Sequence, residues 1–242
     1  MTIRHKKNTG RYNYGEPQRL SLKGTLKMNS SVKLGRLYGV PVGLHWSWFL
    51  IFILLSWSLA NGIFAIQFPN QQPSLHWGLG VITALLLFGS VLAHEFGHAV
   101  ISIRNRIPVQ QITLFIFGGV AQISHEPQTP GDEFRLAIAG PLVSLFLALT
   151  FGVTAWAADS VAVLSSVARW LAEINLSLVL FNMIPSFPLD GGRVLRSAIW
   201  AWNHNYKKAT RAATLIGQGI SYVFILVGIF FISRGALSDG IW

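Results

Sequence analysis

The sequence predicts a membrane α-helical fold: a polytopic bundle of about five transmembrane helices, with a sixth expected in a longer form, and a small β-hairpin or sheet at one end. Two observations carry this. Only 12% of the 242 residues are charged and 52% are hydrophobic, whereas an ordinary soluble domain has roughly 25% charged residues. The charges are also unevenly spaced, with no Asp, Glu, Lys or Arg from Leu37 to Ala93. Uncharged apolar runs of this length read as membrane spans, because a helix satisfies its own backbone polar groups in a solvent that cannot.

Residues 1–36 read as a basic tail. Nine of the nineteen Lys and Arg lie there (Arg4, Lys6, Lys7, Arg11, Arg19, Lys23, Lys27, Lys33 and Arg36), with Glu16 as the only acid. The segment is too long and too polar for a signal-peptide n-region. No aromatic stacking module accompanies the charge, so nucleic acid is set aside as a partner in favour of anionic lipid. From residue 37 to 233 a single domain is expected. Its first span, 45–66, has no evident cleavage site after it and reads as a retained signal anchor. An uncharged, proline-containing turn (67–75) leads to the second span, 76–103, which Arg104, Arg106 and the helix-stopping Pro108 close. The stretch 109–123 (VQQITLFIFGGVAQI) is too short for a span and suggests a hairpin turning at Gly118-Gly119. Spans at 136–157 and 167–184, a short helix at 194–203 and a fifth span at 212–233 complete the domain. The last residues, 234–242, read as a C-terminal tail or the start of a truncated further helix.

The connections fix an orientation. The tail holds nine Lys and Arg, the 104–135 loop three and the 193–211 segment five, while the 67–75 and 158–168 loops hold none. The positive-inside rule places the tail, the hairpin and the 193–211 segment on the cytoplasmic side, as span alternation requires.

The chain has no Cys, so any metal must be held by His, Asp or Glu. His94-Glu95-Phe96-Gly97-His98 is an HExxH motif in the second span. Positions i and i+4 share a helix face, so both imidazoles can grip one ion, and Glu95 beside them can take a proton from an attacking water. At about 1.5 Å per residue, His98 lies about 9 Å along the axis from Arg104. Ionisable groups inside a membrane are costly and usually functional. A catalytic zinc takes three protein ligands and keeps one position open. For the third ligand Asp190 leads, since it ends the fourth span on the same membrane side; an Asp-Gly turn or interfacial cap explains it equally well when it is taken alone, and His125 is the next candidate. Gly89, Ala93 and Gly97 form a small-residue face that lets another helix approach. Two function classes fit: a metallohydrolase, or a membrane metal-binding protein or metal transporter using the same His and Asp. The adjacent Glu favours the first.

HEFGH in an apolar helix, followed about ninety residues later by FNMIPSFPLDGGR, resembles the site-2 protease family of intramembrane zinc metalloproteases. The resemblance covers about residues 34–233. It implies a zinc metalloendopeptidase that cuts within or near transmembrane segments (regulated intramembrane proteolysis), with one Zn²⁺ per chain held by His94, His98 and Asp190. It implies Glu95 as general base and Asn182 near the substrate carbonyl, where an interhelical hydrogen bond is the plainer alternative. It suggests that the strand around 112–117 or 120–124 pairs with an unwound substrate. The implied partners are transmembrane proteins such as anchored transcription factors, anti-sigma factors or signal-peptide remnants, besides the lipids. The implied location is the bacterial inner membrane, or a thylakoid or other organelle membrane, with the N-terminus cytoplasmic. Ser144 departs from the family pattern, standing where many relatives have Asn.

Overall fold

The computed structural model describes residues 32–234; the expectations for the tail up to residue 31 and for 235–242 lie outside it. Six helices follow in chain order. They are α1 (Trp46–Gln67, containing a π-helical stretch at Leu59–Phe64), α2 (Pro73–Arg104), α3 (Pro130–Ala157), α4 (Ala162–Asn182), α5 (Asp190–Asn203) and α6 (Tyr206–Ser233). All except α5 are long and apolar enough to cross a membrane. Their outward faces are greasy: Leu142, Phe146, Leu149 and Val153 on α3 are all exposed, as suits lipid contact.

Hydropathy predicts the spans well and their starts less well. Helices α2, α3, α4 and α6 begin three to six residues before the expected positions. Two of these early starts, those of α3 and α6, are capped by a side chain. Thr129 accepts from the Asp132 amide at 3.1 Å ahead of Pro130 at the first helical position, and Asn205 accepts from the Lys208 amide at 3.0 Å. Each satisfies an amide that the helix cannot.

The sheet is larger than one hairpin. Four strands lie in the order β1 (Val32–Leu37), β2 (Val40–Leu44), β3 (Val109–Phe115), β4 (Gly118–Ile123). β1 occupies the end of the expected tail and turns into β2 through Tyr38 and Gly39, both at positive φ (48° and 82°). That is the backbone of a two-residue hairpin turn, whose twist matches the strands. β2 and β3 run parallel, with α1 and α2 as their crossover, and β3 and β4 run antiparallel. The second hairpin turns at Ile116 and Phe117, not at Gly118-Gly119, which already belong to β4.

Alternation sets the sheet on α2. Val40, Val42 and Ile112 are buried with Ala99, against partly buried Leu92 and Phe96. Leu44 and Leu114 pack with Trp48 and Phe88. β3 is paired on both sides, and among the described residues β4 is left as an edge strand beside the HExxH segment.

At that same end the helices are joined by charge. Arg196 of α5 is buried and donates from Nε to Glu133 Oε1 at 2.7 Å, with a second bond to that oxygen from Nη2. Glu133 is fully buried in the first turn of α3. Removing either partner would strand a buried charge, which costs roughly 3–5 kcal/mol. Farther along, buried Asn175 of α4 donates to Ser90 Oγ of α2 at 3.3 Å, an interhelical polar bond that hydropathy gives no hint of.

Candidate metal centre

His94 and His98 sit on one face of α2, buried by α3. Gly97 lies on the turn between them, where a Cβ would come within 2.9 Å of the Ala139 carbonyl oxygen and of Val143. Of the small face read in the sequence, Gly97 meets α3 directly, whereas Gly89 faces open space.

Asp190 is brought to them by a folded loop. The chain leaves α4 at Asn182, and its 183–186 segment runs back over the first turn of α5. A Cβ on Gly191 would collide with the Met183 and Ile184 carbonyls, and one on Gly192 would lie 2.7 Å from Ser186 C. Only glycine permits that approach, so the two glycines after Asp190 fix its place at the helix start. A carboxylate is favoured there by the helix dipole. Burial works against its charge, but the contacts with His94 and His98 outweigh burial and hold its pKa at about 2.

Three ligand atoms converge. His94 Nε2 and His98 Nε2 each lie 3.2 Å from Asp190 Oδ2 and 3.3 Å from each other. Among the described residues this is the only group of three or more His, Asp or Glu disposed to hold a metal ion. A tetrahedral zinc at about 2.0–2.1 Å from its ligands sets them about 3.3–3.4 Å apart. The spacing fits.

The rear nitrogens reinforce the fit. His98 Nδ1 lies 2.7 Å from the Leu136 carbonyl oxygen, which only accepts, so this nitrogen carries a proton and Nε2 of the neutral ring presents its lone pair. His94 Nδ1 lies 2.9 Å from Ser144 Oγ, inside the protein. With their rear nitrogens engaged, both rings turn Nε2 toward Asp190 Oδ2 and toward each other. Outer partners of this kind set the tautomer and ring orientation of metal-binding histidines. Ser144 thus holds a histidine at the position where the sequence offers only a departure from the family pattern. Leu136, Gly140 and Ser144 lie at four-residue spacing on one face of α3. That spacing was readable, though its meaning needed the partner helix.

This arrangement yields a prediction. Ser144→Ala should lower metal affinity by about 10–100-fold, the usual effect of losing an outer partner. Competition with a chelator measures it, and unchanged affinity would deny Ser144 the orienting role.

Glu95 shares the cavity with the trio and reaches the sheet, where its Oε2 accepts from the Ala121 amide of β4 at 3.2 Å. A Cβ on Gly119 would strike the Glu95 side chain, so Gly119 serves a close approach, which is why it does not form the turn. The trio and Glu95 face a cavity of about 510 Å³, walled by β4 on one side and by Leu178, Phe181 and Asn182 of α4 on the other. Asn182 lines it with Nδ2 bonded to the Leu178 carbonyl at 3.0 Å within its own helix. The amide group has a second N–H.

The other described histidines stand apart. Exposed His125 contacts the Glu126 carbonyl at 3.2 Å, His45 caps α1, His76 bonds the Phe68 carbonyl at the far end of α2, and His204 ends α5.

Comparison with known proteins agrees with this geometry. A sequence profile of peptidase family M50 matches residues 82–163 and 152–228. The chain is 42% identical over 209 residues to "Putative zinc metalloprotease sll0528" of Synechocystis sp., covering 86% of this chain and 54% of that protein. It is 33% identical over 202 residues to zinc metalloprotease MJ0392 of Methanocaldococcus jannaschii, covering 84% and 55%. The chain therefore spans about half the length of these relatives. The solved structure of the site-2 protease from Methanocaldococcus jannaschii superposes with a TM-score of 0.56 at 27% identity, covering 87% of this chain and 90% of that one. With five apolar helices and this kinship, the protein is a multi-pass integral membrane protein, and the chain belongs to the site-2 proteases of peptidase family M50.

Proposed function

We propose that the protein is a zinc metalloendopeptidase that hydrolyses peptide bonds within or near transmembrane segments of other membrane proteins. The observation that carries the reading is the convergence of two imidazoles and a carboxylate at zinc spacing, beside a strand edge and an apolar cavity. His94, His98 and Asp190 hold one zinc per chain. Zinc held there would supply Lewis-acid polarisation of a carbonyl and a more acidic water. Glu95 takes the proton and passes it to the leaving amine. The substrate must unwind first, since helical peptide bonds are shielded. β4 is the edge that receives it, because β3 has neighbours on both sides; strand addition supplies the main-chain hydrogen bonds that the helix gave up. Asn182 directs its second amide proton toward the substrate carbonyl.

A transporter reading needs the same trio but gives no work to Glu95 or to a strand edge facing it. The substrate class is transmembrane proteins, of which anchored transcription factors, anti-sigma factors and signal-peptide remnants are examples. The membrane is the bacterial inner membrane. Purified protein in liposomes should cleave a transmembrane peptide, lose cleavage to a zinc chelator and regain it with Zn²⁺, with one zinc per chain by metal analysis. Cleavage indifferent to chelation would refute the reading.

Orientation decides where products go. With the tail and α5 facing the cytoplasm, cleavage falls in the cytoplasmic half of the substrate span. The chain lacks cysteine, so single cysteines introduced at positions 8, 71 and 205 report without background. In intact cells position 71 should react with an impermeant thiol reagent while 8 and 205 stay shielded. The opposite labelling would invert the orientation.

A further inference from the structure

The cavity beside the metal trio has one cationic wall residue, and nothing in the proteolytic mechanism uses it. Arg193 stands one turn after Asp190 on α5 and lines the cavity that holds the trio and Glu95. The rest of the lining away from the trio is largely apolar, with Phe115, Val120, Leu178 and Phe181 among it.

Its neighbour Arg196 explains why Arg193 is available. Arg196 takes both nearby acids: it donates to Glu133 Oε1 from Nε and Nη2, and from Nη2 to Glu126 Oε2 at 3.2 Å. It is further held beside two rings, with its guanidinium carbon 4.8 Å from the centre of Tyr206 and 5.2 Å from that of Phe187. Glu126 is committed a second time, accepting from the Tyr206 hydroxyl at 3.0 Å. Among the described residues Arg193 is left with one ion-pair contact, Nε to Glu133 Oε1 at 3.9 Å. That is an ion pair at the limit of range and too long for a hydrogen bond. Its side chain keeps 21% of its surface exposed.

An arginine with no hydrogen bond to a side chain among the described residues, on the wall of an apolar cleft, is a carboxylate receptor. Its planar fork matches a carboxylate in bidentate fashion, and low-dielectric walls strengthen the attraction. We propose that Arg193 is a specificity-determining residue that selects substrates carrying an Asp or Glu close to the scissile bond; this rests on the proteolytic reading above. Arg193 follows Asp190 by three helical positions, a rise of about 4.5 Å. An extended substrate advances about 3.3 Å per residue, so the acid lies within about two residues of the bond cut. The selected carboxylate sits in an otherwise apolar segment, where charge is rare, so the subsite distinguishes a few spans from most.

The test uses a transmembrane peptide in liposomes, with Gln, Glu or Lys placed in turn at each of three positions on either side of the scissile bond. Binding is read on full-length Glu95→Gln protein, and cleavage on the protein with Glu95 intact. At one position Glu should bind at least tenfold more tightly than Gln, with kcat/KM following. Arg193→Glu should reverse the order in favour of Lys, and Arg193→Lys should keep part of the preference for Glu. Equal binding of the three peptides at every position, or an unchanged order in Arg193→Glu, overturns the assignment. Selective binding without cleavage by Glu95-intact protein would count against the protease and leave the acidic subsite standing.

Discussion

Glu95→Gln should reduce peptide cleavage by about 10²–10⁴-fold, the usual contribution of a positioned general base, while one zinc per chain is retained. The substitution is close to isosteric. Its amide oxygen can still accept from the Ala121 amide, 3.2 Å from Oε2 in the native protein, so β4 should keep its place. What is lost is the ability to carry a proton. His94→Ala is the contrast: it removes a ligand atom that stands 3.2 Å from Asp190 Oδ2, and so should lose metal as well as activity. Turnover by the detergent-purified protein and zinc by elemental analysis separate the two cases. Zinc loss in Glu95→Gln equal to that in His94→Ala would make Glu95 a ligand and end its assignment as base.

How much of this was legible beforehand depended on which interaction wrote it. The spans were plain because lipid imposes a long apolar run on each. Their first turns were missed because capping and Pro at N1, as at Thr129-Pro130, act through single hydrogen bonds that hydropathy averages away. The β1–β2 hairpin was hidden by Lys33 and Arg36, which made Val32–Leu37 look like tail. Yet Val40, Val42 and Leu44 alternate, and all three are buried. The HExxH pair was local to one helix and therefore readable. The outer partners Ser144 and the Leu136 carbonyl belong to another helix, and no spacing in the sequence states which face of α3 meets α2. Gly118-Gly119 was misplaced for a related reason. A glycine can mark a turn or a close approach, and here Gly119 makes room for Glu95 across 24 residues of chain.

Gly140→Ala should abolish metal binding although it adds one methyl group in the middle of a helix. A Cβ on Gly140 would press against the Nε2 atoms of both His94 and His98 and lie 2.7 Å from His98 Cε1. An ion about 2.0–2.1 Å from both nitrogens must sit within about 3 Å of that point, too close for a methyl group. The methyl group therefore competes with the metal for the same space. The imidazoles cannot simply turn aside, because their Nδ1 atoms are held by Ser144 and Leu136. The alternative account is ordinary overpacking, which costs about 1–3 kcal/mol and would show as lost stability with the metal still bound. Gly152→Ala is the control on the same helix. Nothing lies within 4 Å of its Cβ position, and alanine in a helix is favoured over glycine by roughly 0.8–1.0 kcal/mol, so that variant should keep its zinc, activity and thermal stability. Gly140→Ala should be zinc-free and inactive, while its circular dichroism and gel-filtration profile match those of the parent stripped with chelator. Near-normal zinc and turnover in Gly140→Ala would mean that the ion does not lie between the two histidines, and the metal centre would have to be redrawn.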